Sequence, residues 1–303
     1  MEETFLTAIG LPLALFIIML CLGLSLTVED FRKVVVYPKA VAVGLLNQII
    51  LLPLIGAALV LAFNLSPFMA VGIMLIAACP GGPTSNMIAF VARGDTALAI
   101  LLTAISGIIT IITIPLILAL TIGYFQIDAE EIRAPVGEIM LQLVAIVAVP
   151  VTIGMVIRHF KPAFAQRMDK LSRIASSAVF VFVLLVLIVQ EWALIREHFV
   201  ALSGVTLALN VCTMAAGFAV ARVLSLSIRR SVTISISSGI QNGTLAIVIA
   251  TSILQVGEAA IPGGVYSLIM FITGGAIMYY FGARRPDLMT EEPDAPPAEE
   301  KAA

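Results

Sequence analysis

Charged residues are scarce in this chain. Only 12% of its 303 residues are Asp, Glu, Lys or Arg, against roughly 25% in soluble domains. Hydrophobic residues make up 60% and the mean hydropathy is +1.10. Several apolar runs approach the roughly 20 residues that a helix needs to cross a bilayer. The composition therefore excludes an ordinary soluble domain and predicts an all-α polytopic membrane protein.

The absence of ionisable residues within the apolar runs, and of nucleotide-binding and metal-binding motifs, excludes several classes of membrane protein. No Asp, Glu, Lys, Arg or His lies deep within the long apolar runs, and no nucleotide-binding P-loop is present. Cys21, Cys79 and Cys212 stand in apolar segments without a second metal-binding residue nearby, which favours small core residues over a metal site or a disulfide. We therefore expect no enzyme, no resident cofactor, no nucleic-acid partner and no obligate protein partner. A passive or ion-coupled carrier in the lipid bilayer remains.

Hydropathy predicts nine membrane spans, at roughly 5–27, 40–62, 68–92, 96–124, 139–157, 174–190, 200–224, 231–254 and 261–282. If the N-terminus is outside, all of the 17 Lys and Arg residues except Arg133 and Arg196 fall on the cytoplasmic side, as positive charges in membrane proteins generally do. The sequence thus predicts a multi-pass protein of the cell's inner (plasma) membrane, with its N-terminus outside and its C-terminus in the cytoplasm.

Two of the predicted spans are interrupted by residues that break helices. The third contains Pro-Gly-Gly-Pro followed by Thr-Ser-Asn (80–86), and the eighth contains Ser-Ser-Gly-Ile-Gln-Asn-Gly-Thr (237–244). Irregular backbone at membrane depth is tolerated only where protein or a water-filled cavity covers it. Paired interruptions of this kind indicate the binding site of a transporter. We therefore expect the breaks to meet near 81–83 and 238–239, at mid-membrane.

The two breaks lie five spans apart, so corresponding segments run in opposite directions through the membrane. This offset predicts an inverted repeat, with residues 1–124 as a first copy of four spans that lacks its first helix. Residues 139–283 form the second copy of five spans. Residues 284–303, rich in Pro, Ala and acidic residues, are predicted to be a disordered cytoplasmic tail.

Crossing half-helices would bring their free ends together. The N-terminal ends favour an anionic group, and the C-terminal carbonyls favour a cation. We therefore expect a substrate anion at the residues around the two breaks, namely Pro80, Gly81, Thr84, Asn86, Asn242, Gly243 and Thr244. Asn86 and Asn242 are also candidates to cap the half-helices.

Three stretches resemble the bile acid:sodium symporter family: residues 20–56, residues 78–106 with Pro-Gly-Gly, Ser-Asn and Ala-Arg-Gly-Asp, and residues 235–246. The resemblance covers about residues 10–283, and the chain looks like the nine-span members of the family. It implies a panel domain and a core domain, with two discontinuous helices crossing in the core. It also implies two sodium sites, at Ser85, Asn86, Ala99, Thr103 and Ser237, and at Gln48, Ser237, Gln241 and the carbonyls of Ser238 and Ile240.

The chain departs from the family pattern at two of these positions. Position 237 usually carries a Glu that serves both sodium sites, and position 99 usually carries a hydroxyl; here they are Ser and Ala. A buried cation without an opposite charge has a desolvation cost of several kcal/mol. We therefore expect a secondary transporter of a small organic anion, bile-acid-like or a smaller carboxylate or sulfonate. It would work by alternating access with at most one Na+ per substrate. The alternatives are a sodium-independent facilitator, a proton-coupled carrier and, with less support, a membrane sensor.

Overall fold

The structure, a computed structural model, describes residues 9–127 and 136–290. Within these ranges the chain is helical, without a β-strand. The helices in chain order are α1 (Leu11–Ser25), α2 (Val28–Val36), α3 (Pro38–Ala62), α4 (Pro67–Ala78), α5 (Pro83–Val91), α6 (Thr96–Phe125), α7 (Val136–Phe160), α8 (Pro162–Gln190), α9 (Trp192–Val223), α10 (Ile228–Gly239), α11 (Gly243–Ile253) and α12 (Glu258–Arg284).

Every predicted span has a helix or a pair of helices at its position. Five helices are long and apolar enough to cross a membrane singly: α3, α6, α7, α12 and Leu202–Val223 of α9. Helix α1 followed by α2 would be a sixth span, although the two are bent by 73°. The remaining predicted spans correspond to α8, whose apolar part is Val181–Gln190, and to the pairs α4–α5 and α10–α11. The all-α membrane architecture is confirmed, and the count of nine stays a prediction.

The helices pack as two groups. Helices α1, α7 and α8 contact one another, whereas α3–α6 and α9–α12 surround the two breaks. The groups meet where α1 contacts α11, where α8 contacts α9, α11 and α12, and where α6 contacts α7. The breaks therefore lie inside the second group of helices. Helix α11, which follows the second break, also contacts helices α1 and α8 of the first group.

Contact between α1 and α7 depends on two glycines that let the backbones touch. A β-carbon at Gly154 would lie 2.5 Å from the carbonyl oxygen of Leu20 and 2.7 Å from the carbonyl carbon of Gly23. These neighbours are backbone atoms and cannot rotate away. Small residues that allow close backbone approach are a common means of helix packing in membranes.

We expect Gly154→Ala to destabilise the protein by about 1–3 kcal/mol, because the added methyl group forces α1 and α7 apart. Gly107→Ala is the matched control, since no atom beyond the adjacent backbone of α6 lies within 4 Å of its β-carbon position. Thermal unfolding of the purified protein should show a lower Tm for Gly154→Ala and an unchanged or higher Tm for Gly107→Ala. Equal Tm values for the two variants would contradict this account of the helix contact.

An ion pair between buried Arg230 and half-buried Asp95 fixes the turn between α5 and α6. Asp95 caps α6 by accepting from the backbone N–H of Leu98 at 3.1 Å, as its position before the helix suggests. Its carboxylate also lies 3.6 Å from Arg230 on α10, whose guanidinium stacks over the ring of Tyr37 at 4.6 Å. The backbone N–H of Asp95 donates to Thr233 at 2.8 Å. This turn therefore ties α5 and α6 to α10 at the end of α10 remote from its break.

The end of the described chain differs from the expected tail boundary. Residues 284–290 were expected in a disordered tail, but α12 continues to Arg284 and a 3-10 helix follows at Pro286–Met289. Met289 is buried against the rest of the protein. Residues 291–303 lie outside the described residues.

Candidate functional site

The two helix breaks meet, as expected from their sequences. Gly81 and Gln241 form an antiparallel bridge. The backbone N–H of Gly82 donates to the carbonyl of Ile240 at 3.0 Å, and that of Asn242 donates to the carbonyl of Pro80 at 2.9 Å. Each break thus satisfies the backbone groups that the other has freed, which is the condition for irregular backbone inside a membrane protein.

The second break lies slightly later than the sequence suggested. The expected position was Ser238–Gly239, but α10 continues through Gly239 and the chain leaves the helix at Ile240. The break has no proline, and its location is set by pairing with the first break. The first break is located by its own residues, because Pro83 provides the first helical position of α5, where no N–H is needed.

Close backbone contact explains the paired glycines of the first break. A β-carbon at Gly81 would lie 3.1 Å from the carbonyl oxygen of Ser237, and one at Gly82 would lie 3.0 Å from that of Gln241. Side chains at these positions would push the two broken helices apart. Gly81 also brings the first break within reach of Gln48 and Ser85, whose side-chain atoms lie 3.3 and 3.6 Å from the same β-carbon position.

Amide side chains bind the last carbonyls of α10. Gln48 Nε2 donates to the carbonyl of Ser237 at 2.7 Å, and Gln241 Nε2 donates to that of Ser238 at 2.5 Å. The carbonyl of Gly239 accepts from Asn210 Nδ2 at 2.7 Å and from the hydroxyl of Tyr266 at 2.9 Å. The negative end of this half-helix is therefore met by neutral donors.

The same region holds unsatisfied oxygens. Among the described residues, five buried side-chain oxygens have no hydrogen-bond partner: Asn47 Oδ1, Gln48 Oε1, Asn210 Oδ1, Ser237 Oγ and Gln241 Oε1. Leaving a buried acceptor unpaired costs about 1–3 kcal/mol. Oxygen-only donor sets suit hard cations, and Na+ sites of transporters are built from such groups near broken helices. The side chains predicted for the second sodium site, those of Gln48, Ser237 and Gln241, all carry one of these oxygens.

The first predicted sodium site has a different character. Ser85 Oγ donates to the carbonyl of Gly82 at 2.7 Å. Thr103 Oγ1 lies 3.1 Å from Asn86 Oδ1 and 3.0 Å from the carbonyl oxygen of Ala99, within hydrogen-bond distance of both. Asn86 and Thr103 are therefore brought together, and Ser85, Asn86 and Thr103 each already have a hydrogen-bond partner. Ser237, which is shared with the second site, has the one unpartnered side-chain oxygen among the described residues predicted for this site. Ala99 offers no side-chain oxygen.

A small cleft lies beside the crossing. Four of the predicted substrate residues line it (Thr84, Asn242, Gly243 and Thr244), together with Gly82, Pro83, Gln241, Ile18 and Met270. The other three, Pro80, Gly81 and Asn86, are not in its lining: the first two form the backbone crossing, and Asn86 pairs with Thr103. Ile18 on α1 and Met270 on α12 were not predicted, because a single aliphatic residue in an apolar helix carries no signal.

The cleft faces the N-terminal ends of two half-helices. Pro83 and Thr84 begin α5, and Gly243 and Thr244 begin α11. The backbone N–H groups of Thr84 and Thr244 donate to no acceptor within the part of the chain that the structure describes. Asn242 Oδ1 accepts from the N–H of Leu245 at 3.0 Å, so the capping role predicted for Asn242 is confirmed. The capping role predicted for Asn86 is wrong, because Asn86 lies inside α5, which begins after Gly82 without a side-chain cap. Two positive helix ends at one cleft favour a negatively charged group there.

The chain is similar to a family of known transporters. Residues 12–198 match the model of the Sodium Bile acid symporter family. The "Probable sodium/metabolite cotransporter BASS2, chloroplastic" of Oryza sativa subsp. japonica is 28% identical over 93% of this chain and 65% of that protein. The "Uncharacterized sodium-dependent transporter YocS" of Bacillus subtilis (strain 168) is 26% identical over 88% of this chain and 81% of that protein.

A mammalian transporter is also similar. The "Ileal sodium/bile acid cotransporter" of Homo sapiens is 30% identical over 78% of this chain and 67% of that protein. The chain spans slightly less than two thirds of two rice relatives that it matches, 65% of one and 62% of the other. The matched region includes both helix breaks in the rice comparison that covers 93% of the chain.

Proposed function

The chain belongs to the Sodium Bile acid symporter family, a family of transporters rather than enzymes, and on this premise we propose that it carries a small organic anion across the membrane by alternating access. The observation that carries the proposal is the cleft onto which the N-termini of α5 and α11 both open. A carboxylate or sulfonate there would meet Thr84, Asn242, Gly243 and Thr244. Pro80 and Gly81 form the crossing behind them, and Asn86 binds Thr103 of α6. Ile18 and Met270 would contact the apolar part of the substrate.

The coupling ion in this proposal is one Na+ at the crossing. Its ligands would be Gln48, Ser237 and Gln241, with the carbonyls of Ser238 and Ile240. Three unpartnered oxygens support this site, and the paired groups of Ser85, Asn86 and Thr103 make the alternative site the weaker candidate. The substrate anion then supplies the opposite charge that a buried cation needs. A second Na+ would have no such compensation.

One observation favours a second candidate, a sodium-independent facilitator. The last carbonyls of α10 already accept hydrogen bonds from Gln48, Gln241 and Asn210. A neutral donor at these positions does part of what a cation would do, so the crossing is held together without one. In this case the anion would follow its own gradient.

Uptake into proteoliposomes tests the proposal. Ligands would first be chosen by thermal stabilisation of the purified chain against bile acids, short carboxylates and sulfonates. We expect saturable uptake of a stabilising anion that is faster with an inward Na+ gradient than with K+ or choline. Equal rates in all three salts would support the facilitator, and absence of uptake for every stabilising anion would refute transport.

The proposed arrangement in the membrane follows the predicted repeats. Residues 1–124 and 139–283 would be inverted copies, α1, α7 and α8 would form the panel, and the remaining helices would form the core that slides against it. The N-terminus would lie outside and the C-terminus in the cytoplasm of a cell's inner membrane. Arg133, on which part of the charge argument rests, is outside the described residues. Labelling a single cysteine at exposed Gln126 from outside, but not at exposed Lys161, would support this orientation; the reverse result would refute it.

A further inference from the structure

The crossing holds two unpartnered oxygens that belong neither to the predicted sodium sites nor to the cleft. They are Asn47 Oδ1 on α3 and Asn210 Oδ1 on α9. Both residues are fully buried, with 0% of their surface exposed. We call a buried amide a structural bracket when its only role is to hold neighbouring helices together. Such an amide normally pairs both its donors and its acceptor. In these two residues only the donors are used.

Both amides bind the last turn of α10. Asn47 Nδ2 donates to the hydroxyl of Ser238, and Asn210 Nδ2 donates to the carbonyl of Gly239 at 2.7 Å. Gln48 and Gln241 donate to the neighbouring carbonyls of Ser237 and Ser238. All four amides therefore hold consecutive residues of one helical turn with nitrogen and have an oxygen left over.

Local helix geometry explains how two neighbours on α3 reach the same turn. Consecutive side chains of an α-helix diverge by about 100°, because one turn takes 3.6 residues. Asn47 and Gln48 begin a π-helical segment, Asn47–Leu51, in which the extra residue per turn changes this spacing. Such segments occur frequently at functional sites. Here one coincides with two adjacent, buried polar side chains directed at α10.

We propose that Asn47 and Asn210 are part of the cation site of this chain. Their neutral carbonyl oxygens, with those of Gln48, Gln241 and the hydroxyl of Ser237, stand in for the single carboxylate that the chain lacks at position 237. The ligand would be a monovalent cation, Na+. Several oriented dipoles in a buried site stabilise a cation without placing a second formal charge in the protein interior. This inference rests on the proposed function, since it assumes that a coupling cation binds at the crossing.

Equilibrium binding of ²²Na+ to the purified full chain in lipid nanodiscs, without substrate, tests the inference. We expect Asn47→Ala and Asn210→Ala each to raise the Kd for Na+ about ten-fold or more, in the range seen when groups around a metal site are removed. Asn47→Asp should lower the Kd by a similar factor, because it adds the missing charge. Asn64→Gly is the control: Asn64 is exposed and has a left-handed backbone (φ 48°) that glycine adopts freely.

The alanine variants leave the turn of α10 hydrogen-bonded. The hydroxyl of Ser238 still donates to Ile234, and the carbonyl of Gly239 still accepts from Tyr266. Thermal unfolding in choline chloride, where no Na+ is present, measures any loss of stability separately. If one alanine variant fails to fold, the other alanine variant and Asn47→Asp still distinguish the two roles. A ligand role predicts tighter Na+ binding for Asn47→Asp, whereas a bracket role predicts weaker Na+ binding, because the donor to Ser238 is lost.

The results separate the two hypotheses. If the unchanged chain binds Na+ and the alanine variants bind it equally well, or if Asn47→Asp weakens binding, Asn47 and Asn210 are structural brackets and this inference is wrong. The proposed coupling to Na+ would survive that result. If the unchanged chain binds no ²²Na+ without substrate, this inference is wrong, because the amide oxygens then do not replace the missing charge. Coupling in which the substrate anion supplies that charge would survive this result and is decided by the uptake experiment in Na+, K+ and choline.

Discussion

Asn242→Asp should abolish uptake of an organic anion while leaving the protein folded. Asp caps a helix as well as Asn does, so the bond from the N–H of Leu245 is kept. The new carboxylate would face an anionic substrate across the cleft that Asn242 lines. Two like charges about 4 Å apart repel by about 4 kcal/mol at an effective dielectric constant of 20, which corresponds to nearly a thousand-fold loss of affinity.

Two further substitutions separate capping from binding. Asn242→Ser keeps a good cap but removes the amide from the cleft, so uptake should fall while the Tm stays the same. Asn242→Ala removes the cap as well and should also reduce stability by about 1 kcal/mol. Initial rates in proteoliposomes and the Tm of each purified variant are the measurements. Asn64→Asp adds the same charge at an exposed turn and is the control.

An Asn242→Asp variant with normal uptake would contradict the proposed position of the anion. Loss of uptake together with a large loss of stability would also count against it, because the effect would then be one of folding. A sensor without transport activity would show no uptake in the unchanged chain either. These variants therefore test the cleft and the transport function together.

Ser237→Glu should make uptake strongly dependent on sodium. Ser237 is fully buried, its hydroxyl has no partner among the described residues, and its carbonyl is held by Gln48. A carboxylate at this position would have an uncompensated charge costing several kcal/mol unless a cation binds or the group takes up a proton. The Na+ concentration for half-maximal uptake should therefore fall at least ten-fold, since 1.4 kcal/mol already gives that factor.

The cooperativity of uptake reports the number of ions. In the unchanged chain the Hill coefficient for Na+ should be no greater than about one, because a second buried ion would be uncompensated. In Ser237→Glu the coefficient should rise, and NaCl should raise the Tm more than choline chloride does, because an ion that binds the folded state stabilises it. Ser237→Gln has the same length without the charge and should show neither effect.

A Hill coefficient near two in the unchanged chain would contradict this argument. It would mean that neutral oxygens and the substrate anion suffice for two ions. If Ser237→Glu and Ser237→Gln behaved alike, the charge at position 237 would not be what sets sodium dependence. Either result would favour Na+ binding at the other predicted site, with Ser85, Asn86 and Thr103.

Much of this architecture can be predicted from the sequence, because a bilayer restricts the structures that a chain can adopt inside it. A chain with so few charges has to satisfy its backbone internally, so helices are the expected structure. Proline and paired glycines inside an apolar run identify the first break, since such residues are costly in a continuous helix. The cluster of Ser, Gly, Gln and Asn at 237–243 indicates the second. The caps at Asp95 and Asn242 follow from the same local chemistry. Local rules of this kind act between near neighbours in the chain and need no tertiary structure.

The partners of these elements were decided only by the tertiary structure. Leu118 on α6 is fully buried, whereas Leu120, two residues later, is 74% exposed. Both are leucines in the same apolar helix. A position that faces lipid and a position that faces the core can carry the same residue, because both surroundings are apolar in a membrane protein. The sequence of an apolar helix therefore does not say which face meets another helix. Ile18 and Met270 at the cleft, the contact of Gly23 with Gly154, and the four amides on the last turn of α10 all depend on that choice, which is made by close packing between segments far apart in the chain.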